Sequence, residues 1–186
     1  FVERGFNETS IRQIASAAGM GKSTLYDYFN SKDEILISYF AAEIALITAR
    51  SREIVALALP AAERLRRVMA MHLQHLVANK NIHLKLSVEM QRLSLQSQQL
   101  VQQRRHEYQD MLCELIEEGI GTGEFRRINA LFAVRSLGVS LANAVYTSRP
   151  SGTPEEMLAG AVDILFYGIG MPGASPPASA KEAARA

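Results

Sequence analysis

The sequence predicts an all-α protein: an N-terminal helix-turn-helix, followed by a larger C-terminal helical domain. Three observations predict it. The 186 residues are 48% hydrophobic, enough for a substantial core. Ala, Leu, Glu, Arg, Gln and Met, all good helix formers, are abundant, while alternating β-branched runs and Asn-Gly or Asp-Gly hairpin turns are missing. Breaks rich in Gly, Pro and Ser divide the chain into segments with helical periodicity.

Phe1 to Arg4 reads as the end of a helix, without a signal-peptide layout. Ser10 with Gln13 is a capping box, so a helix starts there, with Ile11, Ile14, Ala15 and Ala18 on one face. Gly19 supplies a left-handed turn, and a second short helix runs from about Lys22 to Phe29. Ser31 with Glu34 is another capping box, opening a helix to about Arg52 with a stripe of Ile35, Leu36, Tyr39, Phe40, Ile44 and Ile47. After Pro60 the pattern predicts helices over Pro60–Asn79, Ile82–Leu93 and Ser97–Gly119. Gly121 to Phe125 breaks the last of these. Asn129 caps a helix to about Thr147, and Thr153-Pro-Glu-Glu156 opens the final one, which ends near Gly168–Gly170. These breaks divide the chain into residues 1–36, which hold the helix-turn-helix, and residues 37–171, an all-helical domain. Residues 172–186, rich in Pro, Ala and Ser, read as a disordered tail.

Composition bounds the function. The formal net charge is +1, and residues 1–36 hold four bases (Arg4, Arg12, Lys22, Lys32) against five acids (Glu3, Glu8, Asp27, Asp33, Glu34). A DNA-binding role must then rest on where the bases sit, not on their number. Cys113 is the single cysteine, so no intramolecular disulfide forms, which fits a reducing cytoplasm. The richest apolar stretch, Leu131 to Val145, is interrupted by Arg135 and Asn143 and falls short of the roughly 18 residues a membrane span needs.

Two short helices around a glycine turn are the parts of a helix-turn-helix. Ala15 is small where the helices would cross, and Leu25 and Phe29 face the core with Ile11 and Ile14. Lys22, Ser23, Tyr26 and Asp27 are left on the outer face of the second helix, the face that enters a major groove. Short helix pairs are also common in all-α proteins, so spacing alone leaves both readings open.

The stretch from Arg4 to Leu36, RGFNETSIRQIASAAGMGKSTLYDYFNSKDEIL, resembles the DNA-binding signature of the TetR family of regulators. The resemblance implies phosphate contacts from Thr9, Tyr28 and Lys32, and base-edge or groove contacts from Lys22, Ser23 and Tyr26. Thr24 could take either role. Two departures stand out. Gly21 occupies the position where the family usually places a capping Ser or Thr. The family's first helix normally lies upstream, and only its end, Phe1 to Arg4, is present.

Leu65 to Gly170 is similar to the C-terminal domain of TetR regulators of fatty-acid, steroid and related acyl-CoA breakdown. The carrying stretches are LRRVMAMHLQHLVANKNIH, RHEYQDMLCELIEEGIGTGEF and YTSRPSGTPEEM. An effector cavity is expected between the Pro60–Asn79 and Ser97–Gly119 helices, lined by Met69, His72, His75, Tyr108, Met111 and Leu115. His72 and His75 fall on an apolar stripe; they are either hydrogen-bonded core histidines or ligand contacts. Tyr108, Arg92 and Arg135 could anchor a polar ligand group. No cofactor is expected, and no metal site, since the Glu-x-x-His pair of di-iron bundles does not occur. The last two helices, with Ala130, Ala133, Ser136, Gly138, Ser140, Ala142 and Ala144 on the first of them, are expected to form a homodimer interface or a central core.

The expected function is a ligand-responsive repressor, cytoplasmic and homodimeric. It binds palindromic double-stranded operator DNA and is released by a small apolar or acyl-CoA-like effector. The alternatives are a helical interaction module that no longer binds DNA, or a helical-bundle enzyme. The enzyme reading needs a convergent catalytic set that is not visible in the sequence.

Overall fold

The structure is a computed structural model and describes residues 1–169. Among the described residues eight helices follow one another: α1 Ile11–Ala17, α2 Lys22–Tyr28, α3 Lys32–Val55, α4 Ala61–Ala78, α5 Lys80–Met90, α6 Leu95–Gly121, α7 Ala130–Tyr146 and α8 Pro154–Ile169. Among the described residues there is no strand and no helix long and apolar enough to cross a membrane. The predicted tail, residues 172–186, lies outside the described residues.

Helix starts follow their local chemistry. Ser10 Oγ accepts from Gln13 N, while the Gln13 side chain accepts from Ser10 N at 2.7 Å, a complete capping box. Asn129 Oδ1 accepts from Phe132 N at 2.8 Å. Thr153 and Glu156 cap each other reciprocally at the start of α8. The expected box at Ser31 is only half formed. Ser31 Oγ accepts from Glu34 N, but the Glu34 carboxylate turns back to Asn30, taking its backbone N–H at 2.7 Å. Helices α3 and α6 run two or three residues beyond the expected ends, and α5 begins two residues early and ends three short.

The start of α4 is capped from far away. Pro60 has no side chain to offer, and Glu124, in the loop after α6, accepts from Ala61 N and Ala62 N at 3.0 Å each. That loop approaches closely because residue 119 is glycine. A Cβ there would stand 2.4 Å from the ring of Phe125, which is itself buried.

Two apolar cores result. The larger gathers Leu65, Val68 and Met69 of α4, Leu112, Leu115 and Ile116 of α6, Leu137 and Leu141 of α7, and Leu158 and Val162 of α8. The smaller joins Phe6 of the N-terminal segment to Leu36 and Phe40 of α3, Leu86 of α5, and Leu93 and Val101 around the start of α6. Each such side chain contributes about 1.5–3 kcal/mol by leaving water. Because the second core crosses from the N-terminal segment to α5 and α6, it ties the reader to the body of the molecule. Lys85 of α5 adds a hydrogen bond to the Val2 carbonyl at 2.9 Å.

Candidate DNA-reading helix and ligand cavity

Helices α1 and α2 pack with Ala15 and Leu25 buried at their crossing. Gly19 makes the turn between them at φ +65°, a conformation costly for any residue with a Cβ. Lys22, Ser23, Thr24, Tyr26, Asp27 and Tyr28 are exposed on α2, and Tyr28 keeps 70% of its surface open to solvent. Lys22 Nζ lies 5.6 Å from the Tyr26 ring centroid, so the two present a joint cationic and aromatic surface. No side chain caps the helix at Gly21, so the first N–H groups of α2 lack a side-chain acceptor.

Two residues implied as phosphate contacts are placed differently. Thr9 is buried and its hydroxyl donates to the Gly5 carbonyl at 2.6 Å, so the side chain fastens the N-terminal segment. Lys32 Nζ donates to the Phe6 carbonyl at 2.8 Å and sits 4.8 Å from the Phe6 ring centroid. Its ammonium is thereby engaged in holding α3 to the segment before α1. The Lys32 tie reaches back 26 residues, beyond any local sequence pattern, whereas the Thr9 tie spans only four.

A cavity of about 810 Å³ opens in the C-terminal domain. Helix α3 contributes Phe40, Glu43, Ile44 and Ile47; α4 contributes Met69, His72, His75 and Leu76. The opposite wall holds Arg105, Tyr108, Gln109 and Leu112 of α6, with Arg135, Gly138, Val139 and Ala142 of α7. Four expected lining residues, Met69, His72, His75 and Tyr108, are therefore brought together. Met111 and Leu115 are not among the lining residues and pack in the larger core. Arg135 lines the cavity, whereas Arg92 does not and pairs with Glu89 at 3.2 Å. Glu43, His83, Arg105 and Gln109 are polar lining residues that sequence reasoning missed. Glu43 and His83 come from α3 and α5, which no short-range pattern connects to α4 and α6, while Arg105 and Gln109 flank Tyr108 on α6.

Both stripe histidines have side-chain partners. His72 Nδ1 lies 3.1 Å from the Tyr108 hydroxyl, with the rings edge to face, and His75 Nε2 lies 2.7 Å from Glu43 Oε2. Burial, reinforced by neighbouring His75 and His83, lowers the His72 pKa to about 4, so this imidazole stays neutral near pH 7. Burial also pushes the Tyr108 hydroxyl up to about 12. The cavity thus offers a neutral imidazole and a neutral phenol on apolar walls, with guanidinium groups of Arg105 and Arg135 on the α6–α7 side.

A family model described as "Bacterial regulatory proteins, tetR family" matches residues 1–39. A second, described as "Tetracyclin repressor-like, C-terminal domain", matches residues 58–169.

The chain belongs to the TetR family.

Among TetR-family relatives, the Fatty acid metabolism regulator protein of Bacillus subtilis is 28% identical over 124 residues, covering 67% of this chain and 64% of that protein. The HTH-type transcriptional repressor KstR2 of Mycobacterium tuberculosis is 29% identical over 130 residues, covering 68% of this chain and 64% of that protein. The chain thus spans 64% of the length of these curated relatives. The TetR fold is shared with the regulator FadR of Bacillus subtilis, solved in complex with stearoyl-CoA, at 24% identity and a TM-score of 0.78, over 90% of this chain and 92% of that one.

Proposed function

We propose that this TetR-family chain is a transcriptional repressor that binds operator DNA as a homodimer and is released by an acyl-CoA-like effector. The observation that carries the reading is the path of α3. Its first turn holds the reader through Lys32, and its middle forms a wall of the cavity through Phe40, Glu43, Ile44 and Ile47. A ligand filling that cavity presses on the same rod that sets the position of α2.

The cavity size falls within the roughly 300–1,000 Å³ usual for small-molecule sites. Its apolar walls suit an acyl chain, and Arg105 and Arg135 suit an anionic end. The names of the relatives point the same way: one is a regulator of fatty acid metabolism, one a transcriptional repressor, and FadR was solved with a long-chain acyl-CoA. Thr9, Lys22, Ser23, Thr24, Tyr26, Tyr28 and Lys32 remain the proposed DNA-side residues, with Thr9 and Lys32 acting by fastening the reader. The protein's place of action is the cytoplasm, and its role is binding, not catalysis.

Dimerisation belongs to α7 and α8. Phe132 of α7 and Ile164 of α8 keep 66% and 77% of their surface exposed, and Leu131 of α7 is exposed as well. Large apolar side chains left open on neighbouring helices mark an interface.

The test is reciprocal binding. Calorimetry with acyl-CoA thioesters of increasing chain length should show one site per chain and a negative heat-capacity change. The same thioester should dissociate a gel-shifted complex with the DNA upstream of the chain's own gene, because coupling between two sites acts both ways. A thioester that binds and leaves DNA affinity unchanged refutes the mechanism.

A further inference from the structure

One corner of the cavity holds a cluster that the DNA reader does not use. Glu43 of α3, His75 of α4 and His83 of α5 each offer a ligand atom, and these atoms lie within 4.8 Å of one another. His75 Nε2 stands 2.7 Å from Glu43 Oε2, and His83 Nε2 stands 3.6 Å from the same oxygen. The second distance is too long for a hydrogen bond, so His83 Nε2 is buried without a partner among the described residues. Burying a ring nitrogen without a partner costs free energy unless something engages it.

We propose that Glu43, His75 and His83 form a binding site for a borderline divalent cation, best suited to Zn²⁺. Two imidazoles and one carboxylate are a donor set that zinc accepts readily. Ligands about 2.0–2.2 Å from a tetrahedral zinc stand roughly 3.4 Å apart. The observed 2.7 and 3.6 Å bracket that spacing, and all three ligand atoms lie within 4.8 Å of one another, so side-chain adjustments of up to about 1.5 Å would admit the ion in place of the His75–Glu43 hydrogen bond.

The backbone supports the arrangement. Only Asn79 separates α4 from α5, and it fixes the corner between the two histidines. Asn79 N and Nδ2 both donate to the His75 carbonyl, and His83 N donates to the Asn79 carbonyl at 3.0 Å. The two imidazoles are thus presented from a rigid corner toward Glu43 on the facing helix. All three residues line the cavity, so a three-ligand ion would keep a coordination position on the cavity side. A carboxylate or carbonyl ligand could take that position. The ion would also staple α3 to α4 and α5.

The test uses the full, tag-free chain after exhaustive treatment with a chelator. Zn²⁺ alone is titrated by calorimetry, and Co²⁺ alone by visible absorption, whose ligand-field bands report a low-coordinate N/O site. One equivalent of each per chain is expected, with a Zn²⁺-dependent rise in thermal midpoint. Glu43→Gln and His83→Ala should each weaken Zn²⁺ binding on the order of 100-fold or more, since loss of even a group that only hydrogen-bonds to a ligand costs about 10–100-fold. His106→Ala, at an exposed position on α6, should bind like the parent. The proposal is overturned if the parent shows neither saturable Zn²⁺ binding nor Co²⁺ bands, a result that needs no variant to fold. It is equally overturned if Glu43→Gln and His83→Ala bind Zn²⁺ as the parent does.

Discussion

Single side chains decide how the reader and the cavity behave. Tyr26 and Lys22 are exposed neighbours on α2 with no internal partner to lose beyond each other. Replacing either by Ala should leave the fold and the thermal midpoint unchanged and weaken operator binding by about 1–3 kcal/mol, the worth of a groove contact. Quantitative gel shifts check this; parent-like affinity in both variants would remove α2 from the interface. His72 makes a second prediction, in pH. Its ordinary pKa is 6.5, and in the folded chain it is about 4, chiefly through burial. As pH falls below about 6.5 the unfolded chain takes up a proton that the folded chain refuses. The contribution of His72 is therefore intact above that pH and is lost progressively as pH falls toward about 4, by about 3 kcal/mol in all. Urea unfolding of the parent and of His72→Gln at neutral and acid pH should show the parent losing more stability on acidification. Parallel losses in both would place the sensitive group elsewhere.

At the scale of helices, much was legible where cause and effect lie within one turn. The Ser10–Gln13 box, the Gly19 turn, the Asn129 cap and the Thr153–Glu156 cap involve residues a few positions apart, and local rules found them all. What local rules missed spans the chain. Glu124 caps α4 across 63 residues, and Glu43 meets His75 across 32. The apolar face of α6 is wider than the cavity. Tyr108 and Leu112 line the cavity, while Met111 and Leu115, a fraction of a turn away, serve the larger core. No periodicity separates two neighbouring apolar environments. The Glu124 cap carries its own prediction. Glu124→Ala leaves Ala61 N and Ala62 N without their acceptor at a helix N-terminus, where a carboxylate also meets the helix dipole. A loss of about 1–2 kcal/mol in denaturant unfolding is expected. A loss near zero would mean that water replaces the cap.

For the whole molecule, the question is what covers the outer face of α7 and α8. Helix α7 buries Ala133, Val134, Leu137 and Leu141 in its own chain, so its small residues Ala130, Ala133 and Ala144 serve the core. Gly138 and Ala142, exposed on the same helix, line the cavity, which makes them poor probes of an interface. Phe132 and Ile164 are the better ones. Phe132→Glu and Ile164→Glu should each turn a dimeric parent into monomers that keep their helical circular dichroism and hold operator weakly. Sedimentation showing a monomeric parent would exclude this face as an interface.

Helix α3 also has mechanical consequences. Arg64 ties its far end, donating to the Val55 carbonyl at 2.9 Å while pairing with Glu118. The helix is 24 residues, about 36 Å long. Measured from the tether at Val55, the cavity wall around Ile44 lies about 16 Å along it and Lys32 about 35 Å. Such a rod is a lever with its fulcrum at Val55, its load point near the middle and its working end at the reader. Its mechanical advantage in displacement is about two. A sideways push of about 1 Å at the cavity would swing the reader by about 2 Å. Loosening the fulcrum should spend that motion at the wrong end. Arg64→Lys, which removes the forked grip, is expected to bind effector like the parent while releasing operator less completely; full release would mean that the rod turns about some other point.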